Sequence, residues 1–243
     1  MDWVTLQVLG VLLLAALIRS AFGFGEALVA VPLLALIMPV KSAAPVAVLV
    51  SITIAGVVLV QDWSEVHVRS AGWLVLPTLL GIPLGLLLLA KVAEPIVKAI
   101  LAIVIIAFST YSLLGGRRPA LKDDRLAWVF GFSAGVLGGA YGMNGPPLVI
   151  YGVLRGWSPR HFRATLQGYF FPASLVVMGG YWLAGLWTAT VTRYYLVSLP
   201  LVLAAIFAGR AINRRMRSHR FLFYMHVGLA VIGAVLLLQA LRG

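Results

Sequence analysis

The chain has 243 residues, 62% hydrophobic and only 11% charged, which is more apolar side chain than a soluble core of this size can bury; it reads as an all-α polytopic membrane protein. A net charge of +12 would point to nucleic acid in a soluble domain, but here the basic residues fall in short loops between apolar runs, where they read as topology signals beside anionic lipid. The absence of cysteine excludes disulfides, thiol catalysis and cysteine-ligated metals.

Five apolar runs precede a charged linker and five follow it. The first set covers about 4–21, 26–38, 44–61, 72–90 and 95–114, and the second about 126–141, 146–154, 164–186, 194–212 and 221–241. The first run carries no basic leader and is expected to stay in the membrane. The chain thus divides into a first transmembrane repeat (1–114), a linker (115–125) and a second repeat (126–243). At an offset of 119, Gly23 falls on Gly142, Lys41 on Arg160 and Trp63 on Trp182; farther on, Gly85 falls on Gly209. Each repeat is expected to hold a Gly/Pro-broken helix or re-entrant hairpin plus three crossing helices.

The Lys/Arg distribution bears on orientation. With Arg19 left out as intramembrane or interfacial, inverted copies place thirteen Lys/Arg on the cytoplasmic side and five outside, and parallel copies split them eleven to seven. The positive-inside rule favours inversion, with the central linker cytoplasmic and both chain ends outside.

The second run of each half follows a glycine break: Gly23-Phe24-Gly25-Glu26 in the first half, Gly142-Met143-Asn144-Gly145-Pro146-Pro147 in the second. In lipid such a break frees backbone groups that protein, water or a ligand must satisfy. A break duplicated in two halves is the usual pointer to a transport site. Runs 26–38 and 146–154 are too short to cross, so their N-termini are expected near the midplane, where free N–H groups and partial positive charge suit an anion. Gly23, Gly25, Gly142 and Gly145 serve either a close ligand approach or tight helix packing. Asn144 is a neutral donor or acceptor on the turn.

Glu26 is the only acid within an apolar run. It is either a proton-coupling group or a structural acid, bonded to the N–H groups of the half-helix or paired with Arg19. Arg19 either snorkels to an interface or lies deep enough to attract an anion. After the second break, Arg163 and Gln167 share a helix face and are further substrate candidates, with Arg163 alternatively a positive-inside anchor. Pro172 is expected to distort that helix. His67, His161, His219 and His226 show no metal-ligand spacing, and no cofactor or nucleophile–base pair stands out. Trp3, Trp63, Trp73, Trp128 and Trp187 sit near segment ends as interface anchors.

The paired glycine breaks, with Pro32 after the first and Pro146-Pro147 after the second, resemble the TauE/SafE sulfite-exporter family, also grouped as toluene-sulfonate uptake permeases. The run Phe162-Arg163-Ala164-Thr165-Leu166 is similar to one branch of it. The resemblance implies a multi-pass carrier in a bacterial inner membrane. It would move sulfite, sulfonates or related anions, usually outward. Glu26 stands where glycine is common in the family. The expected partners are a small anionic substrate and membrane lipids, not nucleic acid, and a homo-oligomer is compatible with the sequence. The function expected is ion-gradient-driven anion transport by alternating access; the rivals are an anion channel and a membrane-embedded enzyme or assembly factor.

Overall fold

The computed structural model describes residues 2–61, 68–114, 121, 125–157, 159–213 and 219–242, and the regular structure among them is helical. The helices in chain order are α1 Trp3–Phe22, α2 Glu26–Ala35, α3 Val40–Gln61, α4 Val68–Lys91, α5 Glu94–Leu114, α6 Ala127–Tyr141, α7 Gly145–Leu154, α8 Pro159–Leu183, α9 Ala189–Asn213 and α10 His219–Arg242. Each apolar run has thus become one helix. Among the described residues, stretches of α1, α3, α4, α5 and α9 are long and apolar enough to cross a membrane. Helix α8 continues through Pro172 without a break. The linker residues Arg117, Arg118 and Lys122, and Trp63, lie outside the described residues.

Helices α2 and α7 have ten residues each. At 1.5 Å per residue each is about 15 Å long, half the ~30 Å hydrocarbon core. The preceding helices stop in the same way. Gly23 closes α1 with φ +85° and donates its N–H to the Arg19 carbonyl at 2.6 Å; Gly142 closes α6 with φ +66° and donates to the Gly138 carbonyl at 2.7 Å. A left-handed residue after a helix is the ordinary glycine stop, and it redirects the chain into the half-helix.

Packing between helices links the two halves. Helices α4 and α6 run parallel and touch backbone to backbone. A Cβ on Gly81 would lie 2.2 Å from the Phe132 carbonyl oxygen, one on Gly85 2.1 Å from that of Val136, one on Gly135 2.2 Å from that of Thr78 and one on Gly139 2.3 Å from that of Ile82. Glycine is the residue that permits such an approach, and without a hydrophobic drive between helices in lipid this contact is a main source of cohesion. Helix α9 packs on α1 through Gly209, which faces Ser20 and the Leu17 carbonyl. Helix α3 lies antiparallel to α8, with Ser51 near Ser174 and Gly56 near Phe171. Helix α5 lies antiparallel to α10, with Phe108 against His226 and Ile106 near Gly233.

The core is the interior of this bundle: α2, the inner half of α3 and the ends of α1 and α6 are buried, whereas Leu76, Leu80, Leu87, Ile103, Leu196 and Phe207 face outward. That apolar exterior suits hydrocarbon. Trp3, Trp73, Trp128 and Trp187 are exposed near helix ends, as interface anchors should be.

Candidate functional site

The two glycine breaks, 119 residues apart in sequence, line one cavity. Its walls are Phe24, Gly25, Glu26, Ala27 and Leu28 from the first half, Gly142, Met143, Asn144, Gly145 and Pro146 from the second, and Phe170 of α8; its empty space, mouth included, is about 280 Å³. The first turns of α2 and α7 therefore open on the same space. The first N–H groups of a helix have no acceptor within it, so Glu26, Ala27 and Leu28 bring donors to the cavity from α2.

The second break offers fewer donors than its sequence suggests. The Gly142 N–H is taken by Gly138, and the Met143 N–H by the Leu137 carbonyl at 3.2 Å. Pro146 and Pro147 have no N–H. The donors left on this turn are the Asn144 and Gly145 backbone groups and the Asn144 side chain. Asn144 is buried and caps no backbone group of α7. Its Nδ2 lies 3.5 Å from the Tyr169 hydroxyl, which pairs with Thr78 Oγ1 at 2.7 Å; Thr78 is also within bonding range of the Leu74 and Gly131 carbonyls. The amide rests on Gly138, where a Cβ would come 2.6 Å from Nδ2. Gly145 differs from Gly25 and Gly142: a Cβ there meets open space.

Arg19 and Glu26 meet across the first break. Arg19 does not snorkel; it is 1% exposed and its Nη1 forms an ion pair with Glu26 Oε1. Ser51 of α3 donates to the same carboxylate oxygen at 2.6 Å and lies 3.4 Å from Ser174 of α8. The guanidinium stands over the Phe170 ring, 4.4 Å from its centroid, a cation–π contact. Arg19 Nε and Nη2 are buried and have no hydrogen-bond partner. The carboxylate also sits in the first turn of α2, where a negative charge is favoured.

The sequence-predicted residues Gly25, Glu26, Gly142, Asn144 and Gly145 thus meet at one cavity, Gly23 adjoins it as the stop of α1, and Arg19 stands behind Glu26 and Phe170. Arg163 and Gln167 belong to α8, but their side chains lie outside the described residues. Sequence reasoning passed over Phe170, Tyr169, Thr78 and Ser174. For Tyr169, Thr78 and Ser174 the available signal was a hydroxyl in mid-span, which in a membrane helix needs a partner inside the protein; Phe170 carried no such signal. Among the described residues no cluster of His, Asp and Glu could hold a metal.

Comparison with known proteins returned no match among curated proteins and none among solved structures. The model of the sulfite exporter TauE/SafE family matches residues 8–236, nearly the whole chain. With that span matched, the chain belongs to the TauE/SafE sulfite-exporter family, whose members are membrane transporters and not enzymes.

Proposed function

We propose that this protein is a secondary carrier that exports a small sulfur-containing anion, such as sulfite or an organosulfonate, across a bacterial inner membrane, driven by an ion gradient. The family supplies the class, a membrane exporter of sulfite or a like anion. The observation that carries the reading is the single cavity shared by both glycine breaks. Two half-helix N-termini aimed at one buried space form the donor field that an oxyanion needs. Gly23, Gly25, Gly142, Asn144 and Gly145 shape it, Arg19 is the nearest described cation, and Arg163 and Gln167 remain substrate candidates from α8. Glu26 is the candidate proton carrier for coupling.

The helix pairing supports a duplicated, inverted architecture with repeats at 1–114 and 126–243 about a 115–125 linker. Helix α4 packs on α6, and their counterparts α9 and α1 pack on each other. Gly85 abuts the Val136 oxygen and Ala140 nitrogen; Gly209 abuts the Leu17 oxygen and Ala21 nitrogen, which lie at the same offset of 119. Helices α5 and α10 exchange under this relation and are antiparallel, as are α3 and α8. A two-fold axis that exchanges antiparallel helices lies across them, in the plane of the membrane, which is the geometry of inverted copies. Parallel copies would leave α5 and α10 parallel. This orientation can be checked in the cysteine-free chain. Lys91→Cys should react with an impermeant thiol reagent in intact cells, and Arg125→Cys should be protected. Labelling at Arg125→Cys would favour parallel copies.

The carrier reading is tested by binding and counterflow. Purified protein should bind sulfite or a short alkanesulfonate saturably, and reconstituted vesicles preloaded with that anion should take up labelled anion faster than empty ones. Gly145→Val places its side chain in open space and should fold, yet it should lower anion affinity by at least about tenfold by occupying the approach to the α7 N-terminus. Uptake that does not saturate and ignores preloading would mean a channel.

A further inference from the structure

We propose that Glu26 is the resting counter-ion of Arg19, that the transported anion binds the free Nε–Nη2 edge of the same guanidinium, and that Glu26 accepts one proton and gives up its charge as the anion binds. The inference rests on the carrier reading and specifies its coupling: anion and proton cross together, so the ion gradient that drives export is the outward gradient of the anion itself.

The starting point is a buried guanidinium used on one side only. Of its nitrogens, Nη1 serves Glu26 and lies 3.3 Å from Ser51, while Nε and Nη2 have no partner at 1% exposure. An unpaired buried donor is costly, more so when charged. The Nε–Nη2 edge presents two parallel N–H groups, the fork that binds carboxylate, sulfonate or phosphate oxygens in pairs. Arg19 stands behind two groups that line the cavity, Glu26 and Phe170. An anion entering from the cavity therefore meets the carboxylate first. Two like charges on one buried arginine repel strongly in a poor dielectric, so the anion is admitted when the carboxylate is neutralised.

The exchange balances. The resting site holds Arg19 as a cation and Glu26 as an anion. A monoanion and a proton from solution give Arg19 paired with the monoanion and Glu26 as a neutral acid, whose O–H turns to Ser51 or the cavity. Empty and loaded sites then carry the same net charge of zero, which eases movement of either through hydrocarbon. A dianion would leave one uncompensated charge, so the geometry selects monoanions such as alkanesulfonates or hydrogensulfite over sulfate.

Around Glu26 the described groups are few. Helix α1 brings Arg19 and α3 the neutral Ser51, while Asn144 lies across the cavity beside α7. On α5, Glu94 and Lys98 sit in the first turns and pair with each other. On α10, His226 packs against Phe108, and Arg242 is in the last turn.

The test is calorimetry of ethanesulfonate binding to the purified full-length protein in two buffers of different ionisation enthalpy. The wild type should take up about one proton per anion. Glu26→Gln should take up none and bind ethanesulfonate as tightly or more tightly, because the competing charge is gone. Arg19→Lys, which keeps the charge but loses the fork, should bind at least about tenfold more weakly. Should Glu26→Gln not fold, Ser51→Ala removes a bond that holds Glu26 at rest, and anion binding should tighten with proton uptake intact. Proton-free binding to the wild type, or weaker binding to Glu26→Gln or Ser51→Ala, overturns the exchange. A wild type that binds neither sulfonate nor sulfite refutes the carrier reading instead.

Discussion

Asn144→Ala is expected to lower anion affinity tenfold to a hundredfold while leaving the fold intact. On the second break the Gly142 and Met143 N–H groups already cap α6, and the two prolines bring none. The Asn144 amide is therefore a large share of what that turn can offer an oxyanion. A hydrogen bond to a charged partner is worth about 1.5–3 kcal/mol, which is roughly that range in affinity. The change removes no capping bond of α7, so stability should move little. Gly138→Ala supplies an independent arm. Its methyl group would stand 2.6 Å from Asn144 Nδ2 and displace the amide, although Asn144 itself is unchanged. Both variants should lose affinity in calorimetry on folded protein. Wild-type affinity in both would make the turn a packing device and move the search to Arg163 and Gln167.

Gly135→Val should yield little or no folded protein. A Cβ at this position would lie 2.2 Å from the Thr78 carbonyl oxygen and 3.0 Å from the Gly81 Cα, so what it meets is backbone. A flexible side chain could swing aside, but here α4 and α6 would have to separate along the whole seam. Overpacking a core costs about 1–3 kcal/mol when side chains can adjust, and separating two backbones should exceed that. Thermal unfolding and the yield of monodisperse detergent-solubilised protein measure the effect. Gly179→Val on α8, where a Cβ meets nothing within 4 Å, is the matched control and should behave as wild type. Normal yield and melting of Gly135→Val would show that the seam has slack.

The helices were legible in the sequence because hydrocarbon imposes length and apolarity on each of them. Their ends were less so. Helix α8 begins at Pro159 rather than near 164, and α9 at Ala189 rather than near 194, because helices continue past the apolar core into polar residues that hydropathy discounts. The breaks were legible because glycine at positive φ is hard to replace, and both Gly23 and Gly142 stop a helix that way. The partners of the breaks were legible only in part. The pairing of Glu26 with Arg19, seven residues apart across the turn, was among the readings, but that Ser51 and Phe170 come from other helices to join it was not. Asn144 reaches Tyr169 from another helix. The loss of donors at Gly142 and Met143 depends on how α6 ends, which composition does not encode. The packing glycines were hidden differently: Gly131, Gly135 and Gly139 recur every fourth residue, but only their contact with the α4 backbone at Leu74, Thr78 and Ile82 separates a seam from a tolerated repeat.

The pairing of α1 with α9 has a consequence in time. Seven helices separate α1 from α9 in the chain, so while those are being made the Leu17, Ser20 and Ala21 surface lacks the partner that covers it in the finished fold. The nascent protein must hold this helix in the bilayer as an open face until α9 arrives. Closure of this pair therefore waits for α9, and a chain stopped before Ala189 would keep that face of α1 uncovered.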